Sequence, residues 1–205
     1  MVKVKICGIT NLEDALNSVR AGADLLGFNF YPKSSRFIPL EEAHTIIQSL
    51  HPFVFKVGVF VNEKRAVIQK IIDTAKLDYI QLHGDESSED CLGYSCGVIK
   101  AFRADQDIQF MKSFEGKIAA ALIDSPHAGN YGGTGKTFDW KQIDKLGEMP
   151  YPLILSGGLN PQNVAEAVQK VKPYAVDACS QLESKPGKKD AEKVKQFIYN
   201  AKGAK

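Results

Sequence analysis

A chain of 205 residues with 44% hydrophobic and 24% charged positions has the composition of an ordinary soluble globular protein, which excludes the disordered, fibrous and membrane-embedded classes. Its 26 basic and 24 acidic side chains leave a formal charge of +2, too little for a global field that would favour nucleic acid or an anionic membrane, so an acidic ligand must be held by local groups. Cys7, Cys91, Cys96 and Cys179 form no CxxC pair and have no histidine-rich companion, which points to free thiols in a cytoplasmic protein and away from zinc or a disulfide framework.

The N-terminus, MVKVKICGIT, alternates charged and apolar residues and builds no signal-peptide core. Apolar, β-branched runs predict strands at 2–7, 25–30, 54–61, 79–83, 97–102, 118–124, 153–156 and 175–179. Amphipathic segments predict a helix after each, near 12–21, 40–50, 64–76, 87–94, 107–115, 139–147, 161–171 and 189–201. Thr10-x-x-Glu13 has capping-box spacing and marks the start of the first helix. Eight such units in 205 residues leave only short connections, and strands apolar on both faces need cover on both sides. The expected fold is a single-domain (β/α)8 barrel over residues 1–205. A doubly wound open sheet is the rival, but its dinucleotide-binding form requires G-x-G-x-x-G after the first strand, where this chain reads CGITNLED.

In a barrel, chemistry sits at the C-terminal ends of the strands. Cys7, His83, Asp124, the Ser156-Gly157-Gly158 turn and Asp177 occupy such positions. Period-2 geometry puts Lys5 and Cys7 on one face. Cys7 then reads either as a small buried hydrophobe or as a thiolate favoured by the neighbouring ammonium. Asp124, across the mouth, reads as a turn residue or as the acid partner of that base. His83 ends YIQLHG and suits a pocket or a cap of the following turn. The SGGLN turn offers backbone N–H groups to an oxyanion, at a strand where barrels often hold phosphate. YGGTGKT at 131–137 lacks the first glycine of a P-loop, since residue 130 is asparagine, and reads instead as a loop over the substrate. In YPKSSRF at 31–37, Arg36 suits a carboxylate through its planar fork.

KICGIT at 5–10, GFNFYPKSSR at 27–36, VGVFVN at 57–62, QLHG at 81–84, GGTGKTFDW at 132–140, LSGGLNPQNV at 155–164 and PGKKD at 186–190 together resemble the phosphoribosylanthranilate isomerase family of tryptophan biosynthesis. The resemblance implies the barrel fold and an Amadori rearrangement of a small phosphorylated substrate that needs neither metal nor organic cofactor. It implies that Asp124 is the general acid on the ribose ring oxygen and Cys7 the general base at C2. It also implies that Arg36 binds the anthranilate carboxylate, that Asp177 lies near the anthranilate nitrogen, and that Gly157, Gly158 and Ser180 line the phosphate site. His83 falls in the pocket. A monomer or homodimer is expected, without nucleic acid or membrane.

Where the family commonly reads S-S-G-V-E, this chain has Cys179-Ser180-Gln181-Leu182-Glu183. A missing glycine there would strain the phosphate turn if the position required positive φ. The histidine-pathway isomerase is the enzymatic rival, and Cys7 in place of its first-strand aspartate argues against it. A silent phosphate-sugar-binding barrel is the other rival, and the presence of both Cys7 and Asp124 argues against that.

Overall fold

Short strands that are apolar on both faces leave no side for water, and closing the sheet on itself supplies cover inside and out. The computed structural model describes residues 1–103, 108–124 and 149–204. In it, β1 (Lys3–Cys7), β2 (Leu25–Asn29), β3 (Phe55–Phe60), β4 (Tyr79–Leu82), β5 (Gly97–Arg103), β6 (Ala120–Asp124), β7 (Leu153–Leu155) and β8 (Ala175–Ala178) form a closed parallel barrel in chain order. Closure sets Lys5 opposite Asp177 and Ile6 opposite Ala178, so the first and last strands are neighbours.

The alternation of side chains sorts the core into two shells. Val4 and Ile6 face outward and join the large cluster between sheet and helices. Val57, Ile99, Ala101, Ala120, Leu122, Ile154 and Ala175 face inward and form a separate cluster in the lumen, as a barrel filled by layers of side chains requires. Lys5 lies in that lumen, fully buried, with its ammonium 2.9 Å from Asp177 Oδ1. Burying two charges is tolerable only because each neutralises the other.

The outer helices are α1 (Leu12–Ala21), α2 (Leu40–Gln48), α3 (Arg65–Ala75), α4 (Ile108–Lys112), α5 (Val164–Val171) and α6 (Ala191–Gly203). The cap of α1 lies one residue later than expected: Asn11, not Thr10, accepts from the Asp14 N–H and also donates its amide to the Asp14 carboxylate. Thr10 instead donates its hydroxyl to the Gly187 carbonyl. The helix expected at 87–94 is only a 3-10 turn, Glu89–Cys91. Asp90 accepts from both the backbone and the hydroxyl of Ser87, a local alternative that competes with helix, and Gly93 ends the segment at φ 72°. The helix expected near 107–115 is shorter, and the one expected at 139–147 lies outside the described residues. Past β8, where the sequence predicts a loop running into a helix, the chain makes a hairpin, β9 (Glu183–Lys185) and β10 (Lys188–Lys189), turning at Gly187 with φ 80°. It is tied to α1, because the Lys189 N–H donates to Asp14 Oδ2 at 2.7 Å.

Replacing Lys5 with Met should leave the Asp177 carboxylate buried and unpaired, lowering the unfolding free energy by about 3–5 kcal/mol. Lys5→Met/Asp177→Asn should lose markedly less in the same urea titration. Equal losses in the two variants would show that the ion pair is not what holds this layer.

Candidate active site

The strand ends bring the expected residues to one mouth. Asp124, Gly157, Gly158, Asp177, Cys179 and Ser180 line a single cavity there. A wider groove between α1, α5 and α6, lined by Arg20, Gln169, Ile198 and Tyr199, lies on the outside of the barrel and contains none of the residues singled out from sequence. The residues singled out from sequence therefore point to the smaller cavity.

Cys7 ends β1 and is buried beside Lys5 and Cys179. A hydrogen bond with Cys179, helped by the Lys5 charge and opposed by burial and by Asp177, lowers its thiol from 9.0 to about 6. The same contact, together with burial, pushes Cys179 well above its ordinary range. Burial alone would lower the Lys5 ammonium, but Asp177 and Cys7 outweigh it and the group is raised. Asp177, besides holding Lys5, accepts from Ser156 Oγ at 3.3 Å.

Asp124 ends β6 and is buried. His83 stands over it with Nε2 3.4 Å from Oδ2, while the Gln81 amide meets the other ring nitrogen, Nδ1, at 2.7 Å. The imidazole is thus oriented from both sides, and Nε2 is the nitrogen aimed at the carboxyl. The loop that carries His83 is braced by buried Glu86, which accepts from Lys100 Nζ at 2.8 Å, Gly84 N at 2.9 Å and Asn62 N at 2.8 Å.

Arg36 reaches the mouth from the loop after β2, and Glu183 meets it in a two-pronged pair, Nε to Oε1 at 3.0 Å and Nη2 to Oε2 at 2.8 Å. That hydrogen bond raises the guanidinium. Burial acts to raise Glu183, but the bond to Arg36 and the Lys189 charge prevail and its carboxyl is lowered. Lys189 Nζ lies 3.1 Å from Glu183 Oε1 and 3.2 Å from the Cys179 carbonyl. Sequence reasoning missed Glu183 and Lys189 as site residues, although the Pro186-Gly187 turn between them was a hairpin signal. Lys33, from the same loop as Arg36, is exposed.

Gly157 and Gly158 have φ of 87° and 67°, a conformation in which only glycine is unstrained. The following turn is a 3-10 helix, Ser180–Leu182. Gln181 is not among the non-glycine residues of positive φ, which in the described residues are Asn62, Lys76 and Lys172. The missing glycine therefore introduces no backbone strain. YGGTGKT lies outside the described residues. Among those described, no group of three or more His, Cys, Asp or Glu is placed to hold a metal.

A family model described as N-(5'phosphoribosyl)anthranilate (PRA) isomerase matches residues 4–200. The N-(5'-phosphoribosyl)anthranilate isomerase of Thermotoga maritima is 48% identical over 205 residues, covering 99% of this chain and 100% of that one, and its crystal structure superposes with a TM-score of 0.93. A phosphoribosyl anthranilate isomerase solved with reduced 1-(o-carboxyphenylamino)-1-deoxyribulose 5-phosphate is 45% identical, with a TM-score of 0.88 and coverage of 99% and 100%. A further Thermotoga maritima structure, of monomers generated from the dimeric isomerase, has 45% identity, a TM-score of 0.87 and the same coverage.

A thiol held lower in the folded chain than in the unfolded one adds stability that is complete above the unfolded value near 9.0 and is lost as pH falls through about 6. Wild type should therefore lose stability relative to Cys7→Ser across that window, measured by urea unfolding at stepped pH. A difference that stays constant with pH would place the Cys7 proton affinity at its ordinary value.

Proposed function

The chain belongs to the N-(5'-phosphoribosyl)anthranilate isomerase family, and on that premise we propose that Asp124 and Cys7 carry out its reaction as general acid and general base. The rearrangement belongs to tryptophan biosynthesis and converts the aminoaldose N-(5'-phosphoribosyl)anthranilate into 1-(2-carboxyphenylamino)-1-deoxyribulose 5-phosphate. The arylamine lone pair pushes toward C1 while Asp124 gives a proton to the ring oxygen, so the C1–O bond breaks and an iminium forms. The Cys7 thiolate then takes the C2 proton, giving an enolamine that tautomerises to the ketone. No step in this scheme calls for a metal or an organic cofactor.

What supports the reading most is the sorting of one barrel mouth into a sulfur beside Lys5 and a carboxyl faced by an imidazole nitrogen at 3.4 Å. A thiol held toward its thiolate and a buried carboxyl at one mouth offer a base and an acid to the same substrate. His83 orients the Asp124 carboxyl through its Nε2. Arg36 gives Nε and Nη2 to Glu183, and its Nη1 edge would meet the anthranilate carboxylate. Asp177 sits beneath, near the nitrogen of the bound substrate. Backbone N–H groups of Gly157, Gly158 and Ser180 would hold the phosphate.

We read residues 1–205 as one domain, working in the cytoplasm. Among the described residues no helix is long and apolar enough to cross a membrane. For assembly we favour a homodimer across the N-terminal end of the barrel. Phe53 is 88% exposed there, two residues before half-exposed Phe55, apolar surface that a second copy would cover. The wild type should sediment as a dimer and Phe53→Lys as a monomer, while a monomeric wild type would reject this assembly.

The decisive assay generates the substrate in place and follows its fluorescence without added metal. Cys7→Ser and Asp124→Asn should each lower kcat by at least ~10²-fold, the low end of what a positioned acid or base contributes. Arg36→Ala should act mainly on KM. Near-normal turnover in either of the first two variants would remove that residue from its role.

A further inference from the structure

Arg36 comes from a loop, and an arginine side chain there has many rotamers open to it. Here it is given one. Glu183, 147 residues further along the chain, accepts from Nε with Oε1 at 3.0 Å and from Nη2 with Oε2 at 2.8 Å, two parallel bonds that fix the plane of the guanidinium as well as its place. The Nε side is thereby taken. A guanidinium has five N–H donors, and among the described residues Nη1 has no hydrogen-bond partner, so Nη1 and the second hydrogen of Nη2 form another fork of the same shape. We propose that Glu183 is a positioning residue that sets specificity: by holding Arg36 on its Nε side it aims the remaining fork at a carboxylate ortho to the reacting nitrogen, so that the site selects arylamines that carry one.

Glu183 can hold Arg36 because it is itself held. It is buried where the 3-10 turn passes into β9, the Asp190 N–H donates to the Leu182 carbonyl just before it at 2.9 Å, and the Lys193 ammonium donates to the Glu183 carbonyl at 3.1 Å. Lys189 stands opposite it in the hairpin, with Nζ 3.1 Å from Oε1. The stem of Arg36 is confined as well, since it runs past Gly8, the residue after Cys7, where a Cβ would stand 3.3 Å from Arg36 Cγ. Arg36 and Lys189 bring two positive charges and Glu183 one negative, so one positive charge is left over to meet one ligand carboxylate. Lys189 makes up for what Glu183 takes from Arg36. Charge and aim therefore predict opposite signs: if Glu183 acted through its charge alone, neutralising it would tighten the hold on a carboxylate, whereas if it aims Arg36, neutralising it loosens that hold in spite of the stronger positive field.

This inference rests on Arg36 meeting the substrate carboxylate, and its test reads binding apart from turnover. Two probes are titrated by calorimetry: reduced 1-(o-carboxyphenylamino)-1-deoxyribulose 5-phosphate and the same compound without its carboxyl group. The ratio of their Kd values measures what the carboxylate contributes, and effects on the phosphate or sugar contacts cancel in it. Glu183→Gln should shrink the wild-type ratio by about tenfold or more, nearly as far as Arg36→Ala does, and in the turnover assay KM should rise by more than kcat falls. Because this variant leaves Lys189 buried without its counter-charge, Glu183→Gln/Lys189→Met is measured beside it. That double variant restores the net charge of the wild-type cluster and should show the same loss. In an Arg36→Ala background, Glu183→Gln should change the ratio no further. A ratio that is kept or grows in either folded variant would overturn the proposal, as would a further loss in the Arg36→Ala background, which would show Glu183 acting without the arginine. A wild type that binds both probes equally would overturn the carboxylate role of Arg36 and the proposal with it. Discrimination in a chain that does not isomerise would uphold the clamp and overturn instead the tasks given to Cys7 and Asp124.

Discussion

Closure of β8 onto β1 is the constraint on which the rest of the molecule depends. It turns two strands at opposite ends of the chain into neighbours and places Lys5 against Asp177 in a lumen otherwise filled by Val, Ile, Leu and Ala. An ammonium and a carboxylate in that setting must find each other or leave, because neither has water to turn to. Their pairing fixes the register, and the register sets Cys7 beside Cys179 one rung above. The ion pair also brings a positive charge beneath Cys7, from the barrel wall and not from a loop.

Around this rung the site is built in two halves. On one side, β4 and β6 bring His83 to Asp124, and Gln81 and Glu86 hold the histidine and its loop from behind. On the other, the hairpin after β8 brings Glu183 and Lys189 over the cysteines and turns Arg36 by a two-pronged contact. The first half is made by strand ends and the short loop after β4. The second needs a local motif added to the barrel, and that motif is itself anchored on Asp14 and Thr10 at the start of α1.

This division explains what the sequence made legible. The eight strands could be placed because each is a short apolar run, and Cys7, Asp124 and His83 could be singled out because each ends or directly follows such a run. The period of two told which face of β1 carries Lys5 and Cys7. Helix boundaries were harder where side chains compete with the backbone. Asn11 rather than Thr10 caps α1, and Ser87 with Asp90 ties a turn where the pattern suggested a helix. The engagement of Arg36 by Glu183 was not legible, since the two are joined only when the hairpin folds back. The concern over Gln181 came from a glycine expected at its position, and the backbone there has no need of one.

The hairpin ties the far end of the chain to its beginning, and this bears on how the protein is born. A ribosome delivers β1 and α1 well before Glu183, Lys189 and α6, and α6 packs against α1. Until those last residues emerge, β1 lacks one neighbour, Lys5 lacks its carboxylate and Arg36 lacks its clamp. A nascent chain can thus assemble most of the wall while its chemistry stays unformed. Cys7 acquires its surroundings only after the hairpin has emerged, so the geometry delays its low proton affinity until a closed barrel can shelter it.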